Sequence, residues 1–420
     1  MLSPQTTWHI RFASAAQACL VGVFLFFPIK LGAANTLLAL TLLLWFFGGE
    51  FRARWQGVIN NPITKPALLM FGLVLMGALY SLAPLDAVLQ ALNKYSKFLM
   101  IPVVLSLLME ASWRQRCWNA FALAMIVTLA STYAGLWVHV PWAIASTPSA
   151  WGSDHTVFKD YIAQGLMMST FVVLALSRSS TATRGLIKVG WLALALAAGV
   201  SVLFLSDGRT GYLAIAAALV VYAGVVSPRN WRLGAAGLTT LVLALLLFLS
   251  PTAQQRLKAI YTEAQTQLNT SEDLKQLDAS TSIGARLTMW AFSVDQIKER
   301  PLFGAGTGAY GTLARAACGE HPSCAVVTVH PHNQFLFFAV ELGILGLLAY
   351  VFYLFSAARF AHHLPLTQRA LLLSFLAIMV VDSLVHGALW LAVENHLFTF
   401  VLALLMAEVG ALRLDVKKIA

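Results

Sequence analysis

Apolar runs of about twenty residues follow one another along nearly the whole chain, separated by short turns that carry most of its lysines and arginines. A run of that length crosses the ~30 Å hydrocarbon core of a bilayer as a helix, and lipid offers no partner for an unpaired backbone amide. Only 11% of the residues are charged, against about a quarter in soluble domains. A water-soluble domain is therefore excluded. Apolar runs near 12–29, 33–49, 66–82, 95–109, 117–138, 161–177, 186–205, 211–227, 233–250, 333–356, 369–386 and 388–412 predict an all-α polytopic membrane protein with about 12 transmembrane helices. One long polar segment interrupts them. The chain divides accordingly into 1–250 (spans one to nine), 251–332 (a large helical external loop between spans nine and ten) and 333–420 (spans ten to twelve).

The first run is read as a membrane helix, since Pro28-Ile29-Lys30 is no small-residue cleavage site and a second span follows directly. Basic residues concentrate in alternate turns, such as Arg52 with Arg54, Arg114 with Arg116, and Arg229 with Arg232. The positive-inside bias then puts both termini in the cytoplasm and the long loop outside. The net charge of +10 is accordingly a topology signal, with no nucleic-acid footprint in it.

Within the loop, residues 253–278 carry Leu257, Ile260, Tyr261, Ala264 and Leu268 at helical spacing, as an amphipathic helix would. The Ser280-Thr281-Ser282 cluster suits the start of a second helix over 283–299, with Arg286 and Trp290 four apart on one face. Pro301 ends it. The glycine string Gly304-Ala305-Gly306-Thr307-Gly308 reads first as a tight packed turn and second as a phosphate cradle. Cys318 and Cys324 bracket a short segment with Gly and Pro that can close a disulfide in an oxidising compartment. Two unpaired thiols, or a zinc site with His321, are the weaker readings.

Chemistry is expected at the outer ends of the spans, where an ionisable group is expensive and usually functional. Arg209, in Ser206-Asp207-Gly208-Arg209-Thr210-Gly211, breaks two spans on the outer side, and a functional role is preferred there over snorkelling or pairing with Asp207. His332, at the entrance to span ten, suits a general base and a helix-start role equally on physical grounds. His330 lies two residues away across Pro331. Lys94, Lys97, Lys159 and Asp160 are candidates for the same cavity. Together with Arg209 and Arg286, the lysines would form a cationic surface suited to a diphosphate, whose oxygens guanidinium forks bind bidentately. Glu341, Asp382 and Glu394, inside spans, are read as structural groups.

These residues, taken in order, resemble a known family. Arg209 in Gly-Arg-Thr-Gly is followed by Ser282-x-x-x-Arg286-x-x-x-Trp290 and Pro301-Leu302-Phe303-Gly304-x-Gly306. His332-Asn333 then leads, after nine residues, to Gly343-x-x-Gly346. The pattern resembles the O-antigen ligase and polymerase superfamily of membrane-embedded C-type glycosyltransferases, and within it the O-antigen ligases. The resemblance implies an undecaprenyl-diphosphate-linked O-antigen as donor and a sugar hydroxyl of lipid A-core as acceptor. It implies the periplasmic face of a bacterial inner membrane and a metal-independent, inverting transfer without cofactor. His332 would act as base, and Arg209 and Arg286 would bind the diphosphate. His330 has no equally firm counterpart.

Three rivals stay open at this level. An O-antigen polymerase and a protein O-oligosaccharyltransferase share the donor and differ in acceptor. A transporter or flippase is disfavoured, because the motifs cluster at the outer surface and the loop has no counterpart in the first half.

Overall fold

The computed structural model describes residues 4–144, 154–249, 282–318 and 329–419, with a few isolated positions between 254 and 265. The expected helix over 253–278 falls almost wholly outside them. So do the Cys318 side chain and all of Cys324, and with them the expected disulfide. Every regular element among the described residues is helical.

The chain is a multi-pass membrane protein. Eight described helices are long and apolar enough to cross a bilayer, and a ninth crossing results if Leu31–Phe47 and Phe51–Val58 form one span bent by 115°. The bend is made at Gly49 and Glu50, both at positive φ. The other three expected spans are not established as crossings. Lys97–Leu107 has 11 residues with Pro102 inside it, about 16 Å of helix and roughly half the hydrocarbon thickness. Thr64–Leu79 is short at 16 residues, and Arg232–Leu249 ends at the edge of the described residues. Twelve spans therefore remain an expectation, and eight or nine are what length and composition support.

Two packing features position the end of the bundle that carries Arg209 and the glycine string. The helices Tyr161–Thr181 and Arg209–Val226 cross at Gly165 and Gly211, where a Cβ on Gly165 would stand 3.1 Å from the Gly211 Cα. Small residues at such a crossing let backbones approach closely. That contact carries Arg209, first residue of its helix, to the start of the helix Tyr161–Thr181, and Gly208 packs against the Tyr161 carbonyl.

The second feature is the glycine string. Three of its amides donate to backbone carbonyls: Ala305 N–H to Val340 (2.9 Å), Gly306 N–H to Glu341 (2.8 Å) and Thr307 N–H to Gly77 (3.1 Å). The Thr307 hydroxyl donates to Val74 (2.6 Å). The segment is thus a plug wedged between Thr64–Leu79 and the long helix Gln334–Arg359, and the packed-turn reading holds over the phosphate cradle. The long helix breaks at Gly343 (φ 67°, ψ −161°), where Ile344 N–H turns to the Pro301 carbonyl at 2.8 Å. Glu341, buried beside the break, accepts from the backbone amides of Gly308 and Tyr310.

Candidate functional site

The centre of the site is the turn His330-Pro331-His332-Asn333, immediately before the kinked helix. Asn333 caps that helix: its Oδ1 accepts from Leu336 N–H at 3.0 Å, and its Nδ2 donates to the Leu384 carbonyl at 3.1 Å. Capping therefore falls to Asn333 and leaves the His332 ring available. His332 sits at φ 49°, a left-handed conformation that costs a non-glycine residue on the order of 1–2 kcal/mol. Local contacts hold it there. Its backbone N–H donates to His330 Nδ1 at 3.2 Å, and the indole N–H of Trp290 donates to the Pro331 carbonyl at 2.9 Å.

That last bond joins the site to the helix Ser282–Glu299. Arg286 lies one turn before Trp290 on the same helix, close enough for its charge to act on His332. The two motifs separated by more than forty residues in sequence are thus clamped together at one point.

The two histidines differ in what they can do. The His330 Nδ1 lone pair is occupied by the His332 amide, and its ring lies against Gly387, where a Cβ would come within 3.2 Å. Burial, reinforced by His332, His386 and Lys94, holds His330 down at about 3. His332 is more open. Its Nδ1 is buried without a hydrogen-bond partner. Burial, with His386 and Arg286 beside it, lowers His332 to about 4. Both rings are neutral near pH 7.

A third histidine completes the cluster. The His386 ring centroid lies 5.3 Å from that of His332 and 5.9 Å from that of His330. It follows the helix Leu366–Val385, held by its N–H to the Asp382 carbonyl at 2.7 Å. Its Nδ1 stands 3.5 Å from an Asp382 carboxylate oxygen and 4.0 Å from one of Glu394. Burial works against its charge, yet the pull of Asp382, with Glu394 and Asp160 behind it, raises His386 above the ordinary imidazole value. Among the described residues, no three His, Cys, Asp or Glu side chains group as metal ligands.

The remaining sequence candidates surround this core in different states of engagement. Asp160 caps the helix Tyr161–Thr181, with Oδ1 accepting from Ile162 N–H (2.9 Å) and Ala163 N–H (3.0 Å). Lys159, beside it, is lowered by burial against the opposing pull of Asp160 and Glu394. Lys94 donates to the Trp390 carbonyl at 2.8 Å and lies 4.3 Å from the centre of the Trp390 ring. Its ammonium therefore braces the 387–391 turn. Lys97 reaches a narrow cleft shared with Asn395 and Thr399.

Sequence reasoning missed His386 and placed Asp382 and Glu394 among the structural groups. A signal was present: Asp382 and His386 are four apart at the end of an apolar run, and that spacing puts both on one helix face.

Comparison with known proteins agrees with the motif pattern. No curated protein matches the chain. Residues 192–351 match the family described as O-antigen ligase, a stretch that contains Arg209, Arg286, the glycine string, His332 and Gly343-x-x-Gly346. Over that segment, somewhat more than a third of its length, the chain is similar to the O-antigen ligase family.

Proposed function

We propose that the protein is a glycosyltransferase that joins O-antigen polysaccharide, carried on undecaprenyl diphosphate, to a sugar hydroxyl of lipid A-core. The reaction takes place at the periplasmic side of a bacterial inner membrane, both protein termini being cytoplasmic. The observation that carries the reading is His332: a half-buried, neutral imidazole in a strained turn, clamped to the Arg286 helix through Trp290 and lying within the family segment.

The geometry suits one step of chemistry. His332 takes the proton of the acceptor hydroxyl as its oxygen bonds to the anomeric carbon of the donor. The bond from that carbon to the diphosphate oxygen breaks, and the lipid diphosphate leaves with the electron pair. Attack from the face opposite the leaving group inverts the anomeric centre. Arg209 and Arg286 neutralise the departing charge, a task a divalent ion performs elsewhere, and fixed cations need no reorganisation as charge develops. A neutral imidazole is the required starting state for the base. The lowered His332 supplies it throughout the neutral range.

The test is transfer by purified protein given undecaprenyl-diphosphate O-antigen and lipid A-core, with EDTA present. Wild type is expected to transfer, His332→Ala to lose transfer by at least a hundredfold, and His330→Ala to retain a measurable rate. Chain growth on the lipid-linked glycan alone would make the protein a polymerase. Glycan on an exported peptide would make it a protein O-oligosaccharyltransferase. Full activity in His332→Ala would remove that residue as base.

A further inference from the structure

Two carboxylates and a histidine lie behind the proposed base without a place in the reaction just described. Both oxygens of Asp382 are buried with no hydrogen-bond partner, and the residue is wholly enclosed. A carboxylate in that state is costly unless a cation compensates it. Among the described residues the group within ion-pair distance of it is His386, whose Nδ1 is 3.5 Å from one oxygen and also 4.0 Å from Glu394. His386 stands in turn against His332, ring to ring. Two histidines of one cluster thus have opposite surroundings: His386 stands against two acids, and the charge of Arg286 acts on His332. Neighbouring titratable groups driven apart in this way mark an acid and a base.

We propose that His386, resting on the ligase reading above, is a positioning residue. Held as an imidazolium by Asp382 and Glu394, it keeps the neighbouring His332 unprotonated and ready to receive the acceptor's proton. The charged groups around the pair divide cleanly. Asp382, Glu394 and Asp160 act on His386 from the helix Leu366–Val385, the segment after Leu391 and the start of Tyr161–Thr181. Arg286 and His386 act on His332, and Lys94 acts on His330. Positive charge therefore reaches the base from two separate helices. The carboxylates Asp382 and Glu394 lie within ion-pair distance of His386.

Histidine-labelled protein in detergent, observed by ring nitrogen-15 NMR, tests this directly. Wild type is expected to show an imidazolium signal that persists above pH 7, where exposed histidines have lost their proton, and that disappears in His386→Gln. The His332 signal, identified by its loss in His332→Gln, should titrate about one pH unit higher in His386→Gln. That is a tenfold change in its neutral fraction at a given acidic pH. His386→Lys restores a cation and should return His332 toward its wild-type titration. The acid limb of kcat/KM, which reports the free enzyme, should move up in His386→Gln and back in His386→Lys.

No persistent imidazolium in wild type, as a neutral Asp382–His386 pair would give, overturns the proposal. So does a His332 titration unmoved by His386→Gln. Should that variant fail to fold, the wild-type spectrum and Asp382→Asn decide, since removing the carboxylate should abolish the same signal. Absence of glycan transfer in wild type would sink the ligase reading without altering the ring titrations. An unmoved His332 with transfer intact would sink this inference alone.

Discussion

Substituting Gly343 by alanine tests whether the break in the long helix is a designed feature of this fold. The residue has φ 67° and ψ −161°, a region open essentially to glycine alone and worth about 1–3 kcal/mol of strain for any other residue. A Cβ there would also meet backbone, the Leu302 carbonyl and the Phe303 nitrogen, so no side chain can rotate away. Relieving the clash means separating the kink from the plug. That breaks the bond from Ile344 N–H to Pro301 at 2.8 Å and endangers the one from Ala305 N–H to Val340 at 2.9 Å, each worth about 1 kcal/mol net. Gly343→Ala is therefore expected to cost about 3–5 kcal/mol. Gly72→Ala is the internal control: it lies in the helix Thr64–Leu79 with nothing within 4 Å of a new Cβ, and it should stabilise by roughly 0.5–1 kcal/mol. Thermal unfolding of both variants in detergent, followed by tryptophan fluorescence, gives the comparison. A Gly343→Ala protein that melts with wild type would refute the account of the kink and the plug together.

Two further perturbations probe the histidine turn. Trp290→Phe keeps the ring but removes the bond to the Pro331 carbonyl, worth about 1 kcal/mol; kcat for transfer should fall roughly fivefold, with KM for the lipid-linked donor little changed, and an unchanged kcat would show that the clamp does not position His332. The second is acid stability. His330 is held at about 3 in the fold and titrates near 6.5 in the unfolded chain. Its contribution is therefore complete above about pH 6.5 and is lost as pH falls toward 3, because the unfolded state takes up the proton first. Between pH 6.5 and 5 the loss is about 1.6 kcal/mol, and His330→Asn should flatten the corresponding fall in melting temperature. An equally steep acid profile in that variant would assign the effect elsewhere.

Much of this architecture was legible because lipid imposes a simple rule. Segments without charge had to become helices, and most of the expected spans are helices within a few residues of their predicted ends. The rule fails where a segment is apolar for a different reason. Residues 97–107 are apolar because they are enclosed by other helices, with Phe98, Ile101 and Leu105 almost fully buried, and a hydropathy window reads enclosure and lipid contact alike. At the site, His332 and Arg286 were visible as polar groups with characteristic neighbours in sequence. Their mutual placement was not. It depends on Trp290 reaching a carbonyl forty-one residues away, and no local pattern encodes that. Sequence alone does not bring Asp382 and Glu394 to His386, because an acidic residue within an apolar run has the same appearance whether it pairs two helices or faces a polar turn.

The partition of roles among the histidines follows from backbone geometry more than from the rings themselves. His330 and His332 have the same side chain two residues apart, and sequence offers little to choose between them. The left-handed conformation of His332 turns its amide back onto His330 Nδ1, so one ring is consumed in holding the turn that presents the other. Asn333 then takes over the helix start, which a histidine would otherwise have served. Each neighbour of His332 thus performs a structural task that releases it from one, while Arg286 and His386 supply the charges around it. An apolar bundle tolerates these ionisable groups at one end because the acids face a histidine, Asp382 and Glu394 both within ion-pair distance of His386. The same reasoning makes the site sensitive to small changes: removing any one neighbour leaves either a strained turn or an unbalanced charge beside the proposed base.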